Sequence, residues 1–281
     1  MPDMKIRLGL SPEADDVFMF HGLLSGKVDV RGLDIEPVVE VFQTLNDQAS
    51  RGQLDATSMS VHAYAYARRR YVLSRSGSSF GVDCGPLLVA RDQMNGEQLA
   101  AATIAVPGVT SSAYLAMALW GPNVRTRMLP FDKIIPAVET GLADCGLISH
   151  EEQMSLDVTG LTSVLDLGVW WSNLTGGMPL PMGCVAISRN LPVDVQQTLQ
   201  QAIGESVRYG LANRAQALAA LKQDDSVRET GATAELISRC VNDLSIDVGR
   251  RGQAAMQEFL KRGCEAGIIP NALPLEFVTL A

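Results

Sequence analysis

Residues 52–62 read GQLDATSMSVH and residues 141–150 read GLADCGLISH. Each follows a stretch with helical spacing, VFQTLNDQASR before Gly52 and FDKIIPAVET before Gly141. Each then runs glycine, two residues, aspartate, a short apolar strand, serine and histidine. A glycine just past a helix adopts the left-handed conformation that ends it at little steric cost. The same helix-to-strand step written twice predicts two similar α/β lobes. In open α/β sheets ligands bind beyond the carboxyl ends of the strands, which puts Ser58, Ser60 and His150 near a cleft between the lobes.

The flanking sequence has the same rhythm. KIRLGL (5–10) reads as a strand, DDVFMFHGLLSG (15–26) as a helix ending at a glycine, LDIEPVVE (33–40) as a strand and PLLVAR (86–91) as a buried strand. TIAV (103–106), a Pro-Gly turn and the helical TSSAYLAMALWG (110–121) repeat the pattern. Alternating helices and short apolar strands imply crossover units on a mostly parallel sheet. PLPMGCVAISRN (179–190) reads as a return strand, and the chain from about residue 193 as packing helices. The expected division is 1–90 as the first lobe, 91–183 as the second, and 184–281 as a return crossing with helices packed mainly on the first lobe.

A chain of 281 residues, 47% hydrophobic, buries a real core and exceeds one average domain. A net charge of -8 argues against a nucleic-acid or membrane-surface partner, which needs clustered Lys and Arg. No run reaches the roughly 18 apolar residues of a membrane span. The opening MPDMKIRLGLSPEADD lacks the apolar core of a secretory signal. Cys84, Cys145, Cys184, Cys240 and Cys264 are scattered with no C-x-x-C pair, as reduced thiols of a cytoplasmic protein would be. No metal is expected, because the histidines lie far apart and no HExxH spacing occurs.

VPGVTSSAYL (106–115) places hydroxyls at the opening of a helix, where free N–H groups and the helix dipole favour an anion. Thr110, Ser111 and Ser112 are therefore candidates to grip a carboxylate, although simple N-capping accounts for one of them. His150 reads either as a cap for the helix beginning EEQMSLDV or as a general base, its ordinary pKa of about 6.5 suiting proton transfer near neutrality. Glu151 and Glu152 suit the first turn of that helix. Arg68, Arg69 and Arg70 read as a solvated edge. Trp170 and Trp171 read as core, with stacking on a flat ligand as the alternative.

Six stretches carry a resemblance: SPEADDVFMFHGLLSGK (11–27), SVHAYAY (60–66), SGSSFGVDCGPLLVA (76–90), VPGVTSSAYL (106–115), PAVETGLADCGLISHE (136–151) and DLGVWWSNLTGGMPLPMG (166–183). In this order they resemble the 1,4-dihydroxy-6-naphthoate synthases of the futalosine route to menaquinone. The match runs through the first two-thirds of the chain. The resemblance implies a two-lobed α/β periplasmic-binding-protein-like (type II) fold with a cleft between lobes. It implies cleavage of cyclic dehypoxanthinylfutalosine, a small-molecule carboxylate, to 1,4-dihydroxy-6-naphthoate without metal or organic cofactor, and a homodimer as the expected assembly. It carries the role of proton acceptor to His150 and ligand binding to Ser58, Met59, Ser60, Ser111 and Ser112. The pattern departs at SPEADDVF, where the family reads SPCPNDTF, so Glu13 and Asp15 stand at neutral positions. A non-catalytic carboxylate-binding or sensor protein and a chorismate dehydratase of the same fold remain as alternatives.

Overall fold

The computed structural model describes residues 4–121, 123–149, 153, 156–221 and 231–279. The chain opens with β1 (Met4–Leu10), α1 (Ala14–Leu24), β2 (Leu33–Val39), α2 (Phe42–Arg51) and β3 (Ala56–Ser60). β1 buries Ile6, Leu8 and Leu10 and pairs in parallel with β2 on one side and β3 on the other. After α3 (Val61–Ala67), β4 (Tyr71–Leu73), β5 (Ser79–Gly81), β6 (Leu87–Ala90) and α4 (Gly96–Ala101), the opening arrangement recurs. β7 (Thr103–Val106), α5 (Ser112–Trp120), β8 (Arg125–Met128), α6 (Phe131–Glu139) and β9 (Cys145–Ile148) again put the first strand between the second and third, all parallel.

The two quoted segments play the same part in each half. Gly52 and Gly141 both turn the chain out of a helix at positive φ, 71° and 76°. Asp55 then donates its N–H to the Arg7 carbonyl (3.1 Å) while its carboxylate accepts the Arg7 N–H (2.9 Å). Asp144 does the same to Thr103, at 3.0 and 2.8 Å. Each aspartate thus adds a rung where a parallel ladder begins, which satisfies backbone groups that strand pairing leaves open at that end.

Both sheets are mixed, contrary to the mostly parallel sheet expected from the alternation. α7 (Leu156–Thr159), β10 (Thr162–Asp166), α8 (Leu167–Thr175) and β11 (Leu180–Ser188) follow β9. The first sheet runs β2-β1-β3-β11-β4, with β5 also on β11, and the second β10-β6-β9-β7-β8. β11 is antiparallel to β3, β4 and β5, and β6 is antiparallel to β9 and β10. Leu87–Ala90, assigned by sequence to the first lobe, therefore pairs in the second sheet, and Leu180–Gly183, assigned to the second lobe, pairs in the first.

The chain crosses between the sheets after β5 and again through α8, and the two crossings meet backbone to backbone. The Leu167 N–H donates to the Pro86 carbonyl at 3.0 Å. A Cβ on Gly85 would lie 2.5 Å from the Gly168 nitrogen, closer than real side chains approach, so the contact needs glycine.

The chain ends in α9 (Val193–Ala212), α10 (Arg214–Leu221), α11 (Gly231–Cys240), α12 (Asp243–Ile246) and α13 (Gly249–Glu265). α9 lies on α1, where the buried Ser206 hydroxyl donates to the Met19 carbonyl (2.8 Å) and accepts the Leu23 N–H (2.9 Å). α13 brings Phe259 edge-on to Trp171 at 5.3 Å. One buried cluster joins the sheets, with Met59, Tyr71 and Ala186 from the first and Leu88, Ile104 and Leu147 from the second, bridged by Leu115 and Trp171. Trp171 is fully buried and its indole N–H donates to the Pro179 carbonyl at 3.1 Å, so it is core and not a ligand platform.

Candidate active site

The carboxyl ends of β3 and β9 open on one cavity between the two sheets. It occupies about 570 Å³ including its open mouth, and Ser60, Ser79, Ser111, Ser112, Ser149 and Met182 are among the residues that line it. Four helices begin at its wall: α1 after Glu13, α2 at Phe42, α5 after Ser111 and α6 at Phe131. Helix N-termini carry unpaired N–H groups and a partial positive charge, so their convergence favours an anion. The described lining contains no Lys or Arg, leaving this as the attraction such a ligand meets there.

Ser60 is held for donation. Its N–H donates to Asn46 Oδ1 (2.9 Å), and its hydroxyl oxygen accepts from Asn46 Nδ2 (3.2 Å). The Ser60 proton is thereby not spent on Asn46, and Ser60 lines the cavity.

The three hydroxyls opening α5 behave differently from the sequence expectation. Thr110 Oγ1 donates to Gln43 Oε1 at 3.2 Å. The Ser111 hydroxyl caps the helix by accepting the Tyr114 N–H (3.1 Å) and donates to the Gly108 carbonyl (3.3 Å). The Ser112 hydroxyl donates to the Met182 carbonyl (2.6 Å) and accepts the His62 N–H (3.3 Å). All three are spent on the protein. What this helix presents to a ligand is the N–H groups of Ser112 and Ala113, which have no intrahelical acceptor in the first turn.

Ser58 and Met59 do not line the cavity. Side chains alternate along a strand, so Met59 points into the core while Ser58 lies beside the buried Asp16. The Asp16 carboxylate accepts the Ser11 N–H at 2.8 Å. Burial, with Asp15 beside it, raises its pKa to about 8, against the pull of the Ser11 N–H and the Ser58 hydroxyl. Burial thus favours the protonated form of Asp16, next in sequence to Asp15 on the cavity wall. Glu13 and Asp15, the departures from the family pattern, both line the cavity. His150, Glu151 and Glu152 lie outside the described residues, although Ser149 reaches the cavity wall. Arg68 and Arg70 donate to the carbonyls of Leu273 and Ser50, residues away from the cavity wall.

Asn46, Ser79 and His62 were missed as site-forming residues. Ser79 accepts the Gly183 N–H at 3.0 Å, fixing β11 where it passes the cavity. His62 and the Met182–Gly183 pair fall inside SVHAYAY and LPMG, stretches that carried the family resemblance, and this was the available signal.

Comparisons with known proteins agree with this architecture. The sequence profile described as menaquinone biosynthesis matches residues 6–265. A Thermus thermophilus protein named 1,4-dihydroxy-6-naphtoate synthase is 35% identical over 271 residues, covering 96% of this chain and 98% of the relative. The X-ray structure of an Archaeoglobus fulgidus protein superposes with a TM-score of 0.89 at 34% identity, over 94% of this chain and 98% of that one. A Candida albicans protein described as having the generic periplasmic binding protein fold gives a TM-score of 0.72 at 14% identity, over 100% of this chain and 99% of that one. The fold is periplasmic-binding-protein-like, and the chain belongs to the menaquinone biosynthesis family.

Proposed function

We propose that this chain is a 1,4-dihydroxy-6-naphthoate synthase, cleaving cyclic dehypoxanthinylfutalosine with His150 as proton acceptor. The observation that carries the reading is the cavity where β3 and β9 end, rimmed by four helix N-termini and walled by hydroxyls and apolar side chains. A flat bicyclic ligand suits the wall of Phe42, Phe131, Leu147 and Met182. Its carboxylate suits the first N–H groups of α5, and the Ser60 hydroxyl has its proton to donate to a second oxygen. Breaking the bond between ring and sugar carbons calls for removal of a proton and for donors where oxyanion charge develops. His150 takes the proton, Ser60 supplies a donor where the oxyanion charge develops, the α5 N–H groups hold the carboxylate, and formation of the aromatic product drives the reaction.

Glu13 and Asp15 favour a second reading, in which the cavity takes a related carboxylate that presents hydrogen-bond donors toward α1. The test is to offer the purified protein cyclic dehypoxanthinylfutalosine and chorismate separately and to follow products by chromatography. Naphthoate formation from the first supports the synthase. Dehydration of chorismate, or binding of both without turnover, removes it.

A further inference from the structure

His62 is buried, 1% exposed, behind the cavity wall, and the proposed chemistry gives it no part. Its Nδ1 lies 3.0 Å from the Ser111 carbonyl oxygen, which already accepts the first helical N–H of α5, from Leu115, at 3.1 Å. A carbonyl can only accept, so Nδ1 carries the proton, and the neutral ring leaves a bare lone pair on Nε2. That Nε2 is buried without a hydrogen-bond partner among the described residues. The Tyr66 ring lies 5.9 Å away and the Tyr114 ring 6.4 Å away, the latter nearly parallel.

A buried, unsatisfied ring nitrogen costs stability, and an apolar ring of the same shape avoids that cost. What an apolar ring lacks is the Nδ1–H. α3, which carries His62, continues from β3 of the first sheet, whereas α5 follows β7 of the second. The His62 side chain and backbone N–H reach Ser111 and Ser112, and the Ser112 hydroxyl reaches the Met182 carbonyl on β11. These three bonds fix the first turn of α5 against the sheet that carries Ser60.

We propose that His62 is a positioning residue that, through its Nδ1–H bond to Ser111, sets the direction of the Ser112 and Ala113 N–H groups toward the ligand carboxylate. The inference rests on the reading of the cavity as a carboxylate site. His62 touches no ligand and acts through α5. Its contribution falls on the charged end of the ligand and not on the ring.

The test compares two ligands, 1,4-dihydroxy-6-naphthoate and the uncharged 1,4-dihydroxynaphthalene, by titration calorimetry on wild type, His62→Phe and His62→Asn. Phenylalanine keeps the ring without the donor, and the asparagine amide restores a donor near Nδ1. One hydrogen bond of this kind corresponds to roughly tenfold in affinity. His62→Phe is expected to weaken the carboxylate about tenfold, to leave the uncharged ring within about twofold, and to be rescued by His62→Asn. An equal loss for both ligands, no loss, or failure of rescue overturns the proposal. Wild type that binds neither ligand overturns instead the reading of the cavity on which it rests. Where His62→Phe fails to fold, the imidazole nitrogen resonances of wild type decide: a bare Nε2 supports the proposal and a protonated Nε2 with bare Nδ1 overturns it.

Discussion

Replacing Gly85 by alanine probes how the two sheets are held together. The added Cβ would stand 2.5 Å from the Gly168 nitrogen and 2.7 Å from its Cα, against an ordinary contact of 3.4 Å or more. Both are backbone atoms and cannot rotate away, so the crossings must part by about 0.9 Å, the difference between 3.4 and 2.5. Overpacking of a well-packed site costs about 1–3 kcal/mol. Parting the strands also strains the bond from the Leu167 N–H to the Pro86 carbonyl, for about 1 kcal/mol more. The expected loss is therefore about 2–4 kcal/mol, a large share of the roughly 5–15 kcal/mol that holds a typical protein folded. Urea titration followed by tryptophan fluorescence reads it, with Gly96→Ala as the control. A Cβ on Gly96, the first residue of α4, meets nothing within 4 Å, so that change is expected within about 0.5 kcal/mol of wild type. A Gly85→Ala protein as stable as the control would refute the close backbone packing of the crossings.

Two further outcomes follow from the acidic side of the cavity. Asp16 keeps in the folded state a proton that the unfolded chain releases near the ordinary value of 3.8. Asp16 should therefore contribute stability that is fully present below about pH 4 and lost as pH rises toward about 8, so wild type should lose more stability over this range than Asp16→Asn. Thermal melting across this range checks the sign, and a slope unchanged in Asp16→Asn would contradict the assignment. Glu13→Gln and Asp15→Asn each remove a negative charge from the wall near the proposed carboxylate. At a partly solvated separation this is worth on the order of 1 kcal/mol, so calorimetry should show 1,4-dihydroxy-6-naphthoate binding about fivefold tighter in each variant and less so in high salt. Weaker binding in both variants would mean that these carboxylates accept hydrogen bonds from the ligand.

The helix-to-strand steps at Gly52 and Gly141 were legible because local chemistry writes them, a left-handed glycine followed by an aspartate that bonds the neighbouring strand. The antiparallel placement of β6 and β11 was not legible, since their partners lie far along the chain and no periodicity encodes them. β8 reads RTRM, an exposed edge with no apolar pattern, and β4 and β5 span only three residues each. At the site, Ser60, Ser111 and Ser112, read from the sequence as strand-end and helix-start hydroxyls, line the cavity. That the Ser112 hydroxyl is already committed was hidden, because its partners His62 and Met182 stand 50 and 70 positions away. Met59 was carried in with its neighbours, and the alternation of β3 turns it into the core. Glu13 and Asp15 were legible as departures, and their position on the cavity wall needed the fold.

The most direct measurement is turnover of cyclic dehypoxanthinylfutalosine by the wild-type protein and by folded His150→Asn, with 1,4-dihydroxy-6-naphthoate followed by chromatography. Wild type should form the product, and loss of the proposed base should slow turnover by roughly 10²–10⁴-fold. Folded wild type that forms no product, or His150→Asn with undiminished turnover, would contradict the proposed chemistry.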